Sequence, residues 1–336
     1  RCGWDGEDDD DEKKRLPGLI GDVVLLICGI GVLYYGAEWL VRGSARLAGS
    51  LGISPIVVGL TVVSFGTSAP ELVVGIVAVL DGNATLAIGN VMGSNLANVG
   101  LILGLTAVVR PLEVHARVVW REMPLMLLVT FALYPLIMDD LMISRGDGII
   151  LLMAMAGYLV FVFQSVEDEA PEILGEYEEY MKASDQTASV VSFKDVFWVV
   201  AGSACLVLGG YAIVEGAVEV AGALGISQVV IGLTVVAVGT SLPELAASLV
   251  AAMRDEADIA VGNVIGSNIF NVAGILGTAA VIEPIGVPRS VLSHELPAVL
   301  LMSLLLFPIL RSGWRIRRWE GVILLTAYVA AGVFLL

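Results

Sequence analysis

The chain has 336 residues, 57% of them hydrophobic and 15% charged, with a mean hydropathy of +0.88. Soluble globular proteins hold about 45–50% apolar and about 25% charged residues, which excludes a water-soluble enzyme or binding module as the main body. The formal net charge of −16 excludes a basic nucleic-acid-binding face, and much of it sits in two segments, Asp5 to Glu12 and Glu167 to Asp185.

In chain order, residues 1–18 read as an acidic tail. Five apolar runs follow, at 19–41, 54–80, 84–109, 119–138 and 148–166. An acidic connector over 164–191 precedes five more, at 195–217, 227–253, 258–282, 296–310 and 320–336. A bilayer needs about 20 consecutive apolar residues in a helix, so the expectation is an all-α polytopic membrane protein of about ten spans. The connector lacks the spacing and central glycine of an EF-hand and reads as solvated. Three cysteines make no disulfide framework.

The two sets of spans are copies. Residues 59–104 align with 232–277 without a gap, about half of the positions being identical, and the register of 173 residues persists beyond them. Pro111 meets Pro284, Glu122 meets Glu295, and Asp147 meets Glu320. The chain thus divides into units 19–163 and 192–336. Five spans per unit is an odd number, so the second unit enters the membrane from the opposite face and the repeat is inverted. Arg42, Arg46, Arg110, Arg117, Arg121, Lys182, Lys194 and Arg254 gather on one side, which the positive-inside rule assigns to the cytoplasm. Both termini are then expected outside and the connector inside.

Each copy carries an acidic residue beside a helix breaker inside an apolar run: Gly66-Thr67-Ser68-Ala69-Pro70-Glu71 and Gly239-Thr240-Ser241-Leu242-Pro243-Glu244. A charged side chain at the centre of a lipid-embedded helix costs about 2.5–3.5 kcal/mol on insertion scales, and such residues are commonly functional. Proline lacks the N–H that would pair with the carbonyl four residues back. Carbonyls freed at membrane depth need a cavity or an ion to satisfy them. Carboxylates, carbonyls and hydroxyls suit hard cations, and no His or Cys accompanies them to favour zinc or copper.

A second paired element follows, Gly89-Asn90-Val91-Met92-Gly93-Ser94-Asn95-Leu96-Ala97-Asn98 and Gly262-Asn263-Val264-Ile265-Gly266-Ser267-Asn268-Ile269-Phe270-Asn271. Ser94 and Asn98, like Ser267 and Asn271, are four apart and share a helix face. Two readings stand at this point: small-residue seams with asparagines bonding between helices, or a contribution to an ion site.

The GTSxPE and GNVxGSNxxN pairs in inverted halves resemble the alpha repeats of the cation/calcium exchanger superfamily, most nearly its prokaryotic sodium/calcium exchangers. The resemblance implies a sodium-for-calcium antiporter of ten spans, the second, third, seventh and eighth surrounding the ions. It implies calcium ligands at Glu71, Glu244 and the backbone oxygens of Thr67 and Thr240. It implies sodium ligands at Ser68, Ser241, Ser94, Ser267, both glutamates and the backbone oxygens of Ser64 and Ala237. Asn98 and Asn271 would line the central position, and the first and sixth spans would slide across this core. Such exchangers often carry Asp where this chain has Asn271, so the site is expected to be weaker for divalent ions by one negative charge. Proton or potassium coupling on the same fold, and a cation channel, are the alternatives.

The reading calls for no catalytic residue, no cofactor and no obligate protein partner. Transported calcium and sodium are the ligands and the lipid bilayer the surroundings, with the cell membrane as location. Glu122 and Glu295 are expected as helix-end caps or surface contacts, and His115 and His294 as solvated loop residues.

Overall fold

The structure, a computed structural model, describes residues 7–184, 193–224 and 239–335. The elements are α1 (Glu7–Leu51), α2 (Pro55–Thr67), α3 (Ala69–Leu80), α4 (Ala84–Val109), β1 (Leu112–Glu113), α5 (Val118–Ile137), β2 (Met142–Ile143), α6 (Arg145–Ser184), α7 (Phe193–Ala223), α8 (Leu242–Met253), α9 (Ala257–Ile282), β3 (Ile285–Gly286), α10 (Val291–Arg311), β4 (Arg315–Ile316) and α11 (Arg318–Leu335). Among the described residues eight helices are long and apolar enough to span a bilayer, or nine if α2 and α3 are one bent span. The span expected at 227–253 is described only from residue 239 onward, and its helical part there is α8.

Two boundaries differ from expectation. The helix expected over 19–41 extends in both directions, from Glu7 to Leu51. That expected over 148–166 continues through the acidic connector to Ser184. Hydropathy marks where a helix meets lipid, not where its backbone hydrogen bonds stop; flanking Glu, Lys and Arg residues favour helix, and the Asp run at the start of α1 suits a helix N-terminus.

The inversion is visible in two short antiparallel ribbons. β1 pairs with β4, Leu112 opposite Ile316, and β2 pairs with β3, Ile143 opposite Ile285. In the 173-residue register β1 corresponds to β3 and β2 to β4, so the two ribbons are equivalent pairings. They lie at opposite ends of α5 and of α10, which therefore run antiparallel. Two carboxylates at equivalent positions, Asp147 half-buried and Glu320 buried, show the same local logic. Asp147 accepts from Ser144 N at 2.9 Å, and Glu320 accepts from Arg317 N at 2.7 Å, each closing the first turn of its helix.

The core is α4 and α9, with 78% and 83% of their most apolar stretches buried. Most of the other spanning helices turn large side chains such as Ile27, Phe163 and Val333 outward, as lipid-facing helices do. Against the core, α1 and α7 lie together along a seam of glycines seven residues apart on both helices: Gly29, Gly36 and Gly43, and Gly202, Gly209 and Gly216. A Cβ on Gly202 would stand 2.5 Å from Leu40 N, and one on Gly209 2.6 Å from Leu33 N. The backbones therefore touch, and a seven-residue period keeps the seam facing the partner along its length. α1 is tied to the chain just past α8, where Glu38 Oε2 accepts Arg254 Nε at 3.0 Å.

Glu122 is not a surface contact. It is fully buried and pairs with Arg117 at 3.3 Å, because the start of α5 enters the core rather than the interface. Glu295, its counterpart, does act locally, accepting from Ser290 Oγ at 3.1 Å. His115 is exposed but stands 3.1 Å from Asp258, bridging the halves.

Candidate ion-binding site

The site forms where helices break. Ser68 adopts φ −81°, ψ 8°, and Ser241 φ −88°, ψ 5°, each immediately before a helix that carries a proline in its first turn. The α2 and α3 axes meet there at 46°. The same break recurs because the same residues recur: the proline ring excludes a continuous α-helix from the preceding turn. Each break starts a new helix, and Glu71 and Glu244 fall in the first turns of α3 and α8. A helix N-terminus favours negative charge, which offsets part of the cost of holding a carboxylate among apolar residues.

Facing these breaks, α4 and α9 change their winding. Asn98–Ile102 and Phe270–Leu276 are π-helical, and they contain Asn98 and Asn271. π-Turns are frequent at functional sites. Here the wider turn sits at equivalent places in both halves.

The side chains cross between halves. Ser68 Oγ donates to Glu244 Oε1 at 2.9 Å. Thr67 also faces Glu244, while Thr240 and Ser94 face Glu71. Ser64, Thr67, Ser68, Glu71, Ser94, Asn98, Ser241, Glu244, Ser267 and Asn271 are all buried. Thr240 is half-buried, and Ala237 lies outside the described residues.

Among the described residues many of these polar atoms have no hydrogen-bond partner: both oxygens of Glu71, Glu244 Oε2, Thr240 Oγ1, Ser241 Oγ, Ser267 Oγ, Asn98 Oδ1 and Asn271 Oδ1. A buried polar atom without a partner costs about 1–3 kcal/mol, more when charged, so such a concentration needs a physical reason. Among the described residues no three His, Cys, Asp or Glu side chains converge. The donor set consists of two carboxylates with hydroxyl and amide oxygens, which fits a hard cation.

Some expected ligands are engaged elsewhere. The Ser64 carbonyl accepts Ser68 N at 3.0 Å and Thr67 Oγ1 at 3.3 Å. The Thr67 hydroxyl also reaches Asn263 Oδ1 at 3.0 Å. Asn263 in turn donates to Ser248 Oγ at 3.0 Å and to the Glu244 carbonyl at 3.3 Å, tying α9 to α2 and α8. Asn263 and Ser248 carry this support and were not singled out by sequence reasoning. Asn263 could have been found, since it recurs as Asn90. Ser248 could not, because its counterpart is Gly75.

An inverted pair of helical halves, broken at buried acidic residues, defines a polytopic membrane protein of the inverted-repeat transporter class. The chain belongs to the sodium/calcium exchanger protein family, which matches residues 22–164 and 194–336. It is 37% identical over 320 residues to a putative antiporter, CaxA, of Alkalimonas amylolytica, covering 93% of this chain and 97% of that protein. It is 35% identical over 337 residues to the sodium/calcium exchanger MaX1 of Methanosarcina acetivorans, covering 91% and 96%. In structure it resembles the sodium/calcium exchanger of Methanococcus jannaschii, with a TM-score of 0.78 at 31% identity, covering 94% of this chain and 98% of that one.

Proposed function

We propose that this protein is a secondary antiporter that exchanges sodium for calcium across the cell membrane by alternating access. The observation that carries the proposal is the cluster of buried, unpartnered oxygens drawn from both halves around Glu71 and Glu244. Glu71, Glu244 and the Thr67 and Thr240 carbonyls would hold calcium. Ser68, Ser241, Ser94, Ser267 and the backbone at Ser64 and Ala237 would serve sodium, with Asn98 and Asn271 at the centre. This is a transport function, with the ions as cargo.

The coupling follows from charge. With no ion bound, two carboxylates would have to cross a low-dielectric barrier during the change of access, which is costly. One calcium or several sodium ions neutralise them, so the loaded carrier crosses more readily than the empty one. Units 19–163 and 192–336 would form the halves, joined by the cytoplasmic connector 164–191, with residues 1–18 and both termini outside. The glycine seam supports α1 and α7 moving as one body over the core, because backbones in contact along such a length shift together. Movement of that body requires release of Glu38 from Arg254.

The test is radioactive calcium uptake into proteoliposomes loaded with sodium and diluted into sodium-free buffer, with proton and potassium gradients as controls. Uptake that requires internal sodium is expected. Uptake driven by a proton gradient alone would overturn sodium coupling.

A further inference from the structure

Asn95 and Asn268 lie between the ion-site residues in both motifs, yet neither is required by the ligand set. Asn95 Nδ2 donates to the Asn268 backbone carbonyl at 3.2 Å, and Asn268 Nδ2 reaches the Asn95 backbone carbonyl at 3.5 Å. A backbone carbonyl can only accept, so these two contacts settle which end of each amide is nitrogen and which is oxygen. The remaining oxygens are then available to the next residues. Asn268 Oδ1 accepts Asn98 Nδ2 at 3.0 Å, and Asn95 Oδ1 accepts Asn271 Nδ2 at 2.9 Å. The consequence falls on Asn98 and Asn271. With their NH2 ends held there, each is left with a buried Oδ1 that has no hydrogen-bond partner among the described residues.

We propose that Asn95 and Asn268 are positioning residues that lock Asn98 and Asn271 with their oxygens toward the transported cation. A free amide can present either end, and an N–H turned toward a cation repels it. The reciprocal clamp removes that choice in both halves at once. It also acts on specificity. A carboxylate at position 271 would meet Asn95 Oδ1, an acceptor, with no donor between them. Asn95 thus favours a neutral residue at 271 and holds the carboxylate count of the site at two.

The inference rests on the proposed cation site, and a double-mutant cycle on calcium binding tests it separately from transport. Calcium titrations are made on the purified full chain with Asn95→Leu, Asn271→Ala and both together. Asn95→Leu is expected to weaken calcium binding about tenfold, ~1.4 kcal/mol. In the Asn271→Ala background the same change should cost less than about twofold, since Asn95 acts through Asn271. In an Asn98→Ala background it should keep its full effect. Equal losses in all backgrounds would reduce Asn95 to a packing residue and overturn the proposal. If Asn95→Leu does not fold, Asn268→Leu with Asn98→Ala applies the same criterion to the other half. Sodium-driven uptake by the unmodified protein is measured alongside. Its absence would overturn the antiport reading while leaving the binding cycle to judge the clamp; uptake with an additive cycle would overturn the clamp alone.

Discussion

Ser68 Oγ donates to Glu244 Oε1 at 2.9 Å, joining the helix break of one half to the acidic residue of the other. The contact crosses 176 residues of sequence. It makes Glu244 dependent on the opposite half, and Thr240 faces Glu71 in the reverse sense, so neither half builds the site alone. Ser68→Ala removes this donor, and a hydrogen bond to a charged group contributes about 1.5–3 kcal/mol. Because the hydroxyl oxygen is also a sodium ligand on the proposed reading, sodium activation of calcium uptake should shift at least several-fold to higher sodium. An unchanged sodium dependence in proteoliposomes would remove Ser68 from the site.

Glu71 faces Thr240 and Ser94, and neither of its carboxylate oxygens has a hydrogen-bond partner among the described residues. Glu71→Gln keeps its shape but halves the negative charge of the carboxylate pair. Sodium-dependent calcium uptake should be abolished. Near-normal exchange by this variant would sink the assignment of the site.

Asn271→Asp adds a charge where the chain departs from many sodium/calcium exchangers. Calcium affinity should rise, by about tenfold if the charge is worth ~1.4 kcal/mol there. The same change sets a carboxylate against Asn95 Oδ1, so Asn95 must turn over and lose its bond to the Asn268 carbonyl. Thermal stability without ions should fall by roughly 1 kcal/mol. Calorimetric titration and thermal unfolding read the two effects. Weaker calcium binding would count against the charge argument.

Gly209→Ala places a methyl group 2.6 Å from Leu33 N in the α1–α7 seam. Overpacking costs about 1–3 kcal/mol, which exceeds the gain of up to about 1 kcal/mol in helix propensity. A lower Tm and slower exchange are expected. Gly157→Ala is the control, since a Cβ there meets nothing within 4 Å. Equal behaviour of the two variants would show that the seam is not tight.

Glu256, between α8 and α9 and outside the spans, has its carboxyl raised above 4.5 by burial and then by Asp258 and Asp255. Below the unfolded value it is protonated in both states and costs nothing. As pH rises through the higher folded value, the folded state must hold an unfavourable charge and loses stability. Glu256→Gln should therefore match the parent at pH 4 and exceed its Tm by a few degrees at pH 7–8. A variant less stable than the parent at pH 7–8 would contradict this sign.

Much of the site was legible because duplication repeats the chemistry. Glu71 with Glu244, Ser68 with Ser241, and Asn98 with Asn271 fall in one register, and proline beside glutamate in an apolar run has few structural uses. The first reading of the asparagines holds, and the second is compatible with it. They do bond between helices, and two of them still keep free oxygens. The buried state of Glu122 was not legible, because a carboxylate near a helix end looks the same in sequence whether it faces water or Arg117.

Sequence alone determined the helical membrane class, the inverted duplication and the acidic helix breaks, since hydropathy, an odd span count and proline stereochemistry act locally or by simple counting. Only the tertiary structure decided that Ser68 donates to Glu244, that Asn95 and Asn268 accept from Asn271 and Asn98, and that α1 and α7 touch through glycines. Those relations join residues more than 150 positions apart. Their partners are chosen by how the halves pack, which no local periodicity records.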